Sequence, residues 1–443
     1  MNRPTEKQSM HIRVLRLAIP NIVSNITVPL LGMADIAVVG HLKGASTQIG
    51  AIAIGGMLFS FIYMTLSFLR ASSAGLTAQA FGKKNKTEIQ RIFIRAVAFA
   101  LGLAIILISF QNVLSWIGFS ILEAEPVVEF SAKAYFNVRI WAAPATLLLY
   151  VFNGWFIGMQ NTKIPMIIAV AGNIINISLN YLMVFGFGMQ AEGVALATVI
   201  AQYSSLLLSV LFMRLKYKSY TLGFPIKESL VWKQIKALLS LNRDLFIRSL
   251  ILIFVLSFFT VISAKISTEV LAVNSLLFQF FLFFSFFMDG FAYAAEALTG
   301  KYFGQGRKLK LQQAVKTTFI WGFYLSVPFT LIYAFGQKSI LYLLTDDTAI
   351  VNLAMDYQYW VVIIPLLSFV SFLWDGVYIG ATAAKPIRNT MIVSGLLVFV
   401  PVFFLAAPAL GNHGLWLAFT AFMLVRGSLM SFWYPSAVLK KVD

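Results

Sequence analysis

Five ionisable side chains lie inside long apolar stretches of this sequence, where a charge is costly to keep. They are Asp35, Arg70, Asp289, Glu296 and Asp375. A charge in the hydrocarbon region of a membrane costs about 2.5–3.5 kcal/mol or more, so such residues usually have a functional or structural partner. Desolvation penalises the ionised form of a carboxylate. A buried acid of this kind can therefore bind and release a proton near neutral pH.

Asp35 is the acid for which we favour this role. It lies in the apolar segment 30–37, about one turn from the end of the first predicted helix. The same helix contains Pro20 and Pro29, each of which removes a backbone donor and can bend a helix. A proline near a titrating acid allows protonation to change the bend of the helix. A static kink in the helix is the alternative, and the sequence leaves both equally open.

Small polar groups are concentrated in predicted helices 4 to 6. They are Asn153 on helix 4, Asn173, Asn176 and Asn180 on helix 5, and Thr198 on helix 6. The three helix 5 amides are three and four residues apart, so they share one face. Amides can bridge helices as structural glue, or they can surround a buried carboxylate. Because this stripe belongs to the same half of the chain as Asp35, we favour the second role.

The second half has acids of its own. Asp289 and Glu296 are seven residues apart on helix 8 and share a face, and Asp375 lies in the middle of helix 10. These three form a second candidate site, in which Asp375 corresponds to Asn153 of the first half. Arg70, near the end of helix 2, is interpreted as structural, either snorkelling to the membrane surface or pairing with an acid.

The elements that must position these residues are membrane-spanning helices. Of 443 residues, 59% are hydrophobic and 12% are charged, whereas ordinary soluble domains carry roughly 25% charged residues. One span needs about 20 mostly apolar residues. The sequence therefore predicts an all-α membrane protein with about twelve transmembrane helices. The predicted spans are residues 14–40, 46–71, 90–114, 130–158, 163–187, 191–214, 237–263, 269–299, 312–336, 350–380, 386–408 and 413–436.

The loops that connect the predicted spans differ in the charge of their residues. The even-numbered connections are strongly basic, as in residues 81–86, 214–236 and 301–310, and the odd-numbered ones contain acids such as Glu125 and Asp346. The positive-inside rule then places both termini in the cytoplasm of a multi-pass protein in the bacterial plasma membrane. We attribute the net charge of +17 to basic residues in the loops on the cytoplasmic side of the membrane. The charge is therefore no sign of nucleic-acid binding, and we expect no nucleic-acid partner.

The two halves of the chain resemble each other at a shift of 222 residues. Gly75-Leu76-Thr77 and Phe81-Gly82 recur as Ala297-Leu298-Thr299 and Phe303-Gly304, and Asn153-Gly154 recurs as Asp375-Gly376. Six helices per repeat is an even number, so the two six-helix bundles form a parallel pseudo-two-fold repeat. The predicted domains are residues 1–214 and 237–443, joined by a cytoplasmic linker over residues 215–236. Two such bundles enclose a central cleft and can expose it to alternate sides.

The sequence lacks the residue patterns that other kinds of chemistry require. The chain contains no cysteine, and its three histidines, His11, His41 and His413, are too scattered for a metal centre. We find no phosphate-binding loop and no zinc-binding helix motif. We therefore expect no enzymatic activity, no cofactor and no metal, and we expect transport by a monomer that uses an ion gradient.

Together these features resemble the multidrug and toxic compound extrusion (MATE) family, in particular its DinF-like branch. The resemblance covers nearly the whole chain. It is carried by Pro20, Pro29 and Asp35 in helix 1, by residues 68–82 after helix 2, and by residues 374–381 in helix 10. It implies a secondary active antiporter that exports small organic compounds, often cationic or amphipathic, in exchange for protons or sodium.

The resemblance also implies roles for individual residues. Asp35 matches the ion-responsive aspartate of the family, and Pro20 matches a proline tied to bending of helix 1. The polar partners of that aspartate match Asn153, Asn176, Asn180 and Thr198. In relatives with a well-defined sodium site, an aspartate stands at the position of Asn180, so the amide here favours proton coupling and leaves sodium coupling open. Asp375 matches the helix 10 aspartate of the family.

A flippase for lipids or lipid-linked precursors is the alternative from a different transport class. Such a protein has a wide cleft that is open to lipid and lined by several arginines. We predict few intramembrane arginines in this chain, and this prediction argues against a flippase.

Overall fold

Twelve helices that are long and apolar enough to cross a membrane follow one another along the chain, as predicted. The computed structural model describes residues 9–40, 45–121, 125–221, 223 and 225–442, and this part of the chain contains no β-strand. The spans are α1 Met10–Val39, α2 Ala45–Gly82, α3 Lys86–Ser109, α4 Pro126–Gly158, α5 Lys163–Gly186, α6 Ala191–Lys216, α7 Trp232–Ile266, α8 Thr268–Gly304, α9 Lys308–Leu344, α10 Gln358–Gly380, α11 Ala384–Leu410 and α12 Asn412–Lys441. Short helices at Gln111–Ile121, Lys218–Thr221, Ile226–Ser229 and Thr348–Met355 connect some of them.

Several helices differ in length from the predicted spans. Helices α2 and α8 continue through Gly82 and Gly304, so residues 81–82 are helical and not part of a loop. Hydropathy detects only the apolar part of a helix, whereas the backbone stays helical until a residue or a turn ends it. Helix α10 begins later than predicted because Thr348–Met355 is a separate helix, which the Asp347 carboxylate caps at its N-terminus.

Two spans of the first half change their helical geometry partway along. Helix α4 consists of Pro126–Arg139 and Ala143–Gly158, joined by the 3₁₀ turn Ile140–Ala142. Helix α5 ends in a π-helical turn at Leu182–Gly186. Such turns change the direction of neighbouring side chains and are frequent at functional sites.

The chain forms two compact units. The first unit is Val23–Leu238, and the second is Met1–Ile22 together with Leu239–Asp443. The described residues up to Ile22 therefore group with the second half of the chain, so these units differ from the predicted domains 1–214 and 237–443.

The helix pairs of the first unit recur in the second. In the first unit α2 packs on α3 and α4, and α6 packs on α4 and α5. In the second unit α8 packs on α9 and α10, and α12 packs on α10 and α11. Each pair is repeated six helices later, which is the pattern that a parallel repeat requires.

Glycines allow the closest of these crossings. A Cβ atom on Gly154 of α4 would overlap the backbone carbonyl oxygen of Arg70 on α2. A Cβ atom on Gly376 of α10 would overlap the backbone carbonyl of Ala292 on α8. Small residues at such positions let two helix backbones approach. The repeated glycines found in the sequence are therefore the contact points of the α2–α4 and α8–α10 pairs.

The connection between α6 and α7 is docked on the first unit. The Gln90 side chain on α3 donates to the Tyr220 carbonyl at 3.1 Å, and Arg91 pairs with Glu228 at 2.7 Å. The Asn161 amide donates to the Tyr217 hydroxyl at 2.9 Å, and burial raises the pKa of that phenol. The segment predicted as a linker therefore has partners at three of its described residues, Tyr217, Tyr220 and Glu228.

Candidate functional site

Four of the predicted site residues form one hydrogen-bonded chain in the first unit. The Asp35 side chain is buried, and the Asn180 amide nitrogen donates to its Oδ1 atom at 2.6 Å. The same nitrogen donates to the Asn176 Oδ1 atom at 3.0 Å, and the Asn176 amide donates to the Thr198 hydroxyl at 3.1 Å. This series of hydrogen bonds ends at a backbone carbonyl, because the Thr198 hydroxyl donates to the carbonyl of Val194 at 2.9 Å.

The Asn176 amide has a second orientation that suits its surroundings. With its oxygen and nitrogen exchanged, the nitrogen lies 3.2 Å from Asp35 Oδ1 and the oxygen lies 3.1 Å from the Thr198 hydroxyl. The two orientations differ only in the placement of oxygen and nitrogen. In the exchanged orientation Asn180 and Asn176 both present uncharged N–H donors to Asp35 Oδ1, whereas in the first orientation only Asn180 does so.

Helix α5 positions these donors because its amides follow the helical repeat. Asn176 and Asn180 are one turn apart, and the π-helical turn begins directly after this segment. One turn earlier, the Asn173 amide donates to the Thr27 carbonyl of α1 at 3.2 Å. The α5 amides therefore hold both the carboxylate and the backbone of α1.

Asn153, the fifth predicted member, does not join this chain. It is half-buried on α4, and its Oδ1 atom makes no hydrogen bond within the described residues. The remaining predicted residues lie elsewhere. Pro20 is buried within the continuous helix α1, in the part that groups with the second unit. Arg70 is half-buried on α2, where its backbone carbonyl faces Gly154.

Arg139 is a charged neighbour of Asp35 and its hydrogen-bonded partners, and it was not predicted as a site residue. Its guanidinium donates to the Tyr135 hydroxyl and lies 5.4 Å from the centres of the Tyr135 and Phe59 rings. Its charge also interacts with Asp35 over a longer distance. The signal in the sequence was a single arginine inside the predicted span 130–158.

The second unit surrounds its helix 10 acid in another way. Arg248 on α7 and Arg426 on α12 both donate to the Oδ2 atom of Asp375. Arg426 is only 2% exposed, so this ion pair is shielded from water. Asp375 therefore belongs to an ion triad and does not have the arrangement of an open cation site. The prediction that the spans contain few arginines is wrong, because α4, α7 and α12 each hold one near an acid.

The other two acids of the second candidate site lie on α8, as predicted. Asp289 is half-buried, and its charge interacts with Arg426. Glu296 is fully buried, and its backbone carbonyl lies against Gly380 at the α8–α10 crossing. Asp289 therefore adds to the electrostatics of the triad, whereas the backbone of Glu296 takes part in the helix crossing.

The described residues include no group of three or more His, Cys, Asp or Glu side chains that could hold a metal ion. His11 packs edge-on against Trp321, and His413 accepts a hydrogen bond from the Trp360 indole at 3.1 Å. His41 lies outside the described residues.

Comparison with known proteins agrees with this architecture. The MatE family model matches the chain at residues 20–182 and 245–426, once in each half. DNA damage-inducible protein F of Escherichia coli K12 is 38% identical over 421 residues, which cover 94% of this chain and 90% of that protein. A probable multidrug resistance protein NorM of Thermotoga maritima is 24% identical over 97% of this chain and 93% of its own length.

The solved structures give the same fold. A MATE crystal structure in the bent conformation superimposes with a TM-score of 0.88 at 18% identity, covering 98% of this chain and 97% of the other. Both repeats match the family model, and the identity to the Escherichia coli protein extends over nearly the whole length of both chains. The chain therefore belongs to the MatE family of membrane transporters, in its DinF-like branch.

Proposed function

We propose that this transporter exports small organic compounds in exchange for protons, and that Asp35 is the group that carries the proton. The observation that carries the proposal is the surroundings of Asp35: a buried carboxylate whose near neighbours are uncharged amides. Within the described residues, no lysine or arginine nitrogen lies close enough to Asp35 to form a direct ion pair. A carboxylate in such a place can lose its charge without breaking a direct ion pair.

Both protonation states of Asp35 can be hydrogen-bonded by the same amide. The carboxylate accepts from the Asn180 nitrogen at 2.6 Å. The Asn180 oxygen is buried and has no hydrogen-bond partner in the described structure. Rotation of the amide would bring this oxygen to Asp35, where it would accept a hydrogen bond from the protonated acid. This pair of states supports a proton-binding role.

Sodium coupling is less well supported by the same groups. A bound cation needs several oxygen ligands, whereas Asn180, and Asn176 in its exchanged orientation, present N–H donors to Asp35. The charge of Arg139 also interacts with Asp35, so a second cation there would meet repulsion. We therefore favour the proton as coupling ion.

The substrate class is inferred from relatives. The Thermotoga maritima relative is named a probable multidrug resistance protein, which supports small organic compounds, cationic or amphipathic, as cargo. The arginines of the spans could instead suit a flippase for acidic lipid precursors. Two of them, however, are engaged by Asp375, and the charge of Asp289 also interacts with Arg426, so two acids offset the two positive charges. We propose a protein of the bacterial plasma membrane with both termini in the cytoplasm, acting as a monomer.

The test is transport by the purified protein in sealed vesicles. Movement of a cationic dye is measured under an imposed proton gradient, and separately under an imposed sodium gradient. We expect the proton gradient alone to drive transport, and Asp35→Asn to abolish it. Asp346→Asn is the matched control, because it makes the same chemical change in an exposed loop.

Two results would contradict the proposal. If Asp35→Asn transported dye as fast as the unchanged protein under the proton gradient, Asp35 would not be the coupling group. If only the sodium gradient drove transport, the coupling ion would be sodium.

A further inference from the structure

Aromatic side chains of the first unit hold a positive charge near the proposed proton carrier. The Arg139 guanidinium on α4 donates to the Tyr135 hydroxyl and lies 5.4 Å from the centres of the Tyr135 and Phe59 rings. Within the described residues it forms no direct ion pair with an acid. An arginine keeps its charge in proteins, and a charge inside a membrane span is costly. The aromatic contacts therefore fix the position of a charge that acts on groups farther away.

The helical repeat relates Arg139 to Asp35 and its partners. Four helices contribute to one cluster of buried apolar side chains, which includes Val39 on α1, Tyr135 on α4, Val184 on α5 and Val194 on α6. Four residues from each of these side chains, and therefore on the same helix face, stands a polar residue. These polar residues are Asp35, Arg139, Asn180 and Thr198.

The direction of the helices places all four polar residues on one side of the apolar cluster. On α1 and α5 the polar residue precedes the cluster residue, whereas on α4 and α6 it follows. Odd-numbered and even-numbered spans cross the membrane in opposite directions. Asp35 and Arg139 therefore belong to a single polar layer, about one helical turn from the apolar cluster.

Arg139 is the charged side chain, among the described residues, that interacts with Asp35. The other titratable groups of this layer are phenols. Tyr135 interacts with both charges, Tyr63 of α2 interacts with Arg139, and Tyr203 of α6 interacts with Tyr63. Phenols are uncharged near neutral pH, and the partners from α5 and α6 are amides and a hydroxyl. The electrostatic balance of Asp35 is therefore between its burial and one arginine.

The separation between the two charges suits a group that must both bind and release a proton. A buried carboxylate on which desolvation alone acted would hold its proton too tightly to release it near neutral pH. A direct ion pair would have the opposite effect, because protonation would break the pair and leave a buried cation. A cation in the same layer but out of direct contact favours the ionised form without making protonation prohibitive.

We propose that Arg139 is a positioning residue of the first unit, whose fixed charge sets the pH at which Asp35 binds and releases its proton. Tyr135 and Phe59 hold the guanidinium at the distance that this role requires. The inference rests on the proposed function of Asp35 as a proton-binding group. It adds α4 to the helices that determine the behaviour of this acid, and it makes no assumption about the cargo.

The experiment titrates Asp35 itself by infrared spectroscopy of the full-length protein in lipid vesicles. A protonated carboxylic acid has a carbonyl stretching band that the ionised form lacks, and the part of this band that Asp35→Asn removes belongs to Asp35. The amplitude of that part is followed against pH in the unchanged protein and in Arg139→Gln. We expect the midpoint to rise by about one pH unit in Arg139→Gln, a tenfold change in proton affinity, because the ionised carboxylate loses its nearby cation.

Three further variants separate charge from packing. Arg139→Lys keeps the positive charge and should leave the midpoint near that of the unchanged protein. Tyr135→Phe removes the hydroxyl that holds the guanidinium, and we expect a smaller rise than in Arg139→Gln. Lys133→Gln is the matched control, because it removes one positive charge from the same helix. Lys133 is exposed and pairs with Glu129 at 2.6 Å, so this variant should show no shift.

A transport measurement separates this inference from the proposed coupling. Dye exchange is recorded in vesicles that have equal pH on both sides, and the pH of fastest exchange is compared between Arg139→Gln and the unchanged protein. If Asp35 carries the coupled proton, this pH should move together with the infrared midpoint. An infrared shift without a shift in transport would support the role of Arg139 and contradict coupling through Asp35.

Three outcomes would overturn the inference. The first is an unchanged infrared midpoint in Arg139→Gln. The second is an equal shift in Lys133→Gln, which would assign the effect to overall charge. The third is an equal shift in Arg139→Lys, which would assign the effect to the contacts of the guanidinium and not to its charge. If Arg139→Gln did not fold, Arg139→Met would be measured in its place, with the same rise expected.

Discussion

The two units each bury an aspartate in a helix bundle, but they surround it with opposite chemistry. Asp35 faces the neutral amides of Asn180 and Asn176, whereas Asp375 is held by the guanidinium groups of Arg248 and Arg426. Protonation of Asp35 would exchange one hydrogen-bond pattern for another. Protonation of Asp375 would leave two arginines without their shared counter-ion, which is costly away from water.

The depth of an acid in the membrane therefore does not assign its role. What matters is whether its neighbours tolerate both of its charge states. By this criterion the neighbours of the proposed proton carrier in the first unit tolerate a change of charge, whereas the acid of the second unit belongs to an electrostatic contact between α7, α10 and α12. The two units share their helix crossings, while their acids have different partners.

The largest effect expected from this comparison is on stability. Asp375→Asn should lower the free energy of unfolding by about 3–5 kcal/mol, because it removes one partner of a buried ion pair. Asp35→Asn should change it by about 1 kcal/mol or less, since the new amide oxygen still accepts from Asn180. Unfolding of both variants would be followed by thermal or denaturant titration in detergent.

A double variant provides the control. Arg426→Met combined with Asp375→Asn removes a cation together with its counter-ion, so it should be more stable than Asp375→Asn alone. Equal destabilisation by Asp35→Asn and Asp375→Asn would show that the two acids do not differ in the way described.

A smaller effect tests the part of the comparison in which the units agree. Gly154→Ala and Gly376→Ala, which the 222-residue shift relates, each place a Cβ atom against the neighbouring helix of a close crossing. Overpacking of this kind costs about 1–3 kcal/mol, and we expect the two variants to lose similar amounts in the same unfolding assay. Gly56→Ala on α2 is the control, because its Cβ would have no atom within 4 Å. A loss confined to one of the two crossings would contradict the equivalence of the scaffolds.

The scaffold could be predicted from the sequence because its signals are local or repeated. Apolar blocks indicate the number of helices, and the repeated glycines mark the contacts of α4 and α10 with their neighbours. The hydrogen-bonded residues around Asp35 were also largely predictable, since Asn176 and Asn180 follow the helical period and Thr198 lies on the adjacent span.

The partners of Asp375 could not be found in this way. Arg248 and Arg426 lie far from it in the chain, and no periodic pattern connects residues on three different helices. Each arginine alone resembles a tolerated charge within a span. Arg139 was missed for a related reason, because its aromatic neighbours on α2 and α4 meet only when the helices pack.

The smallest effect concerns the choice of ion in the first unit. Asn180→Asp would put a second carboxylate beside Asp35 and remove the neutral donor that distinguishes this site from the second unit. We expect the variant to gain a response to sodium, because two carboxylates and the Thr198 hydroxyl provide oxygen ligands for a cation. At a sodium concentration ten times the dissociation constant, binding would stabilise the variant by about 1.4 kcal/mol. Unfolding temperatures in sodium chloride and choline chloride would be compared. Asn173→Asp, two turns away on α5, should show no such response. If Asn180→Asp were as indifferent to sodium as the unchanged protein, the amide would not be what excludes sodium, and the neighbouring charge of Arg139 would become the principal reason.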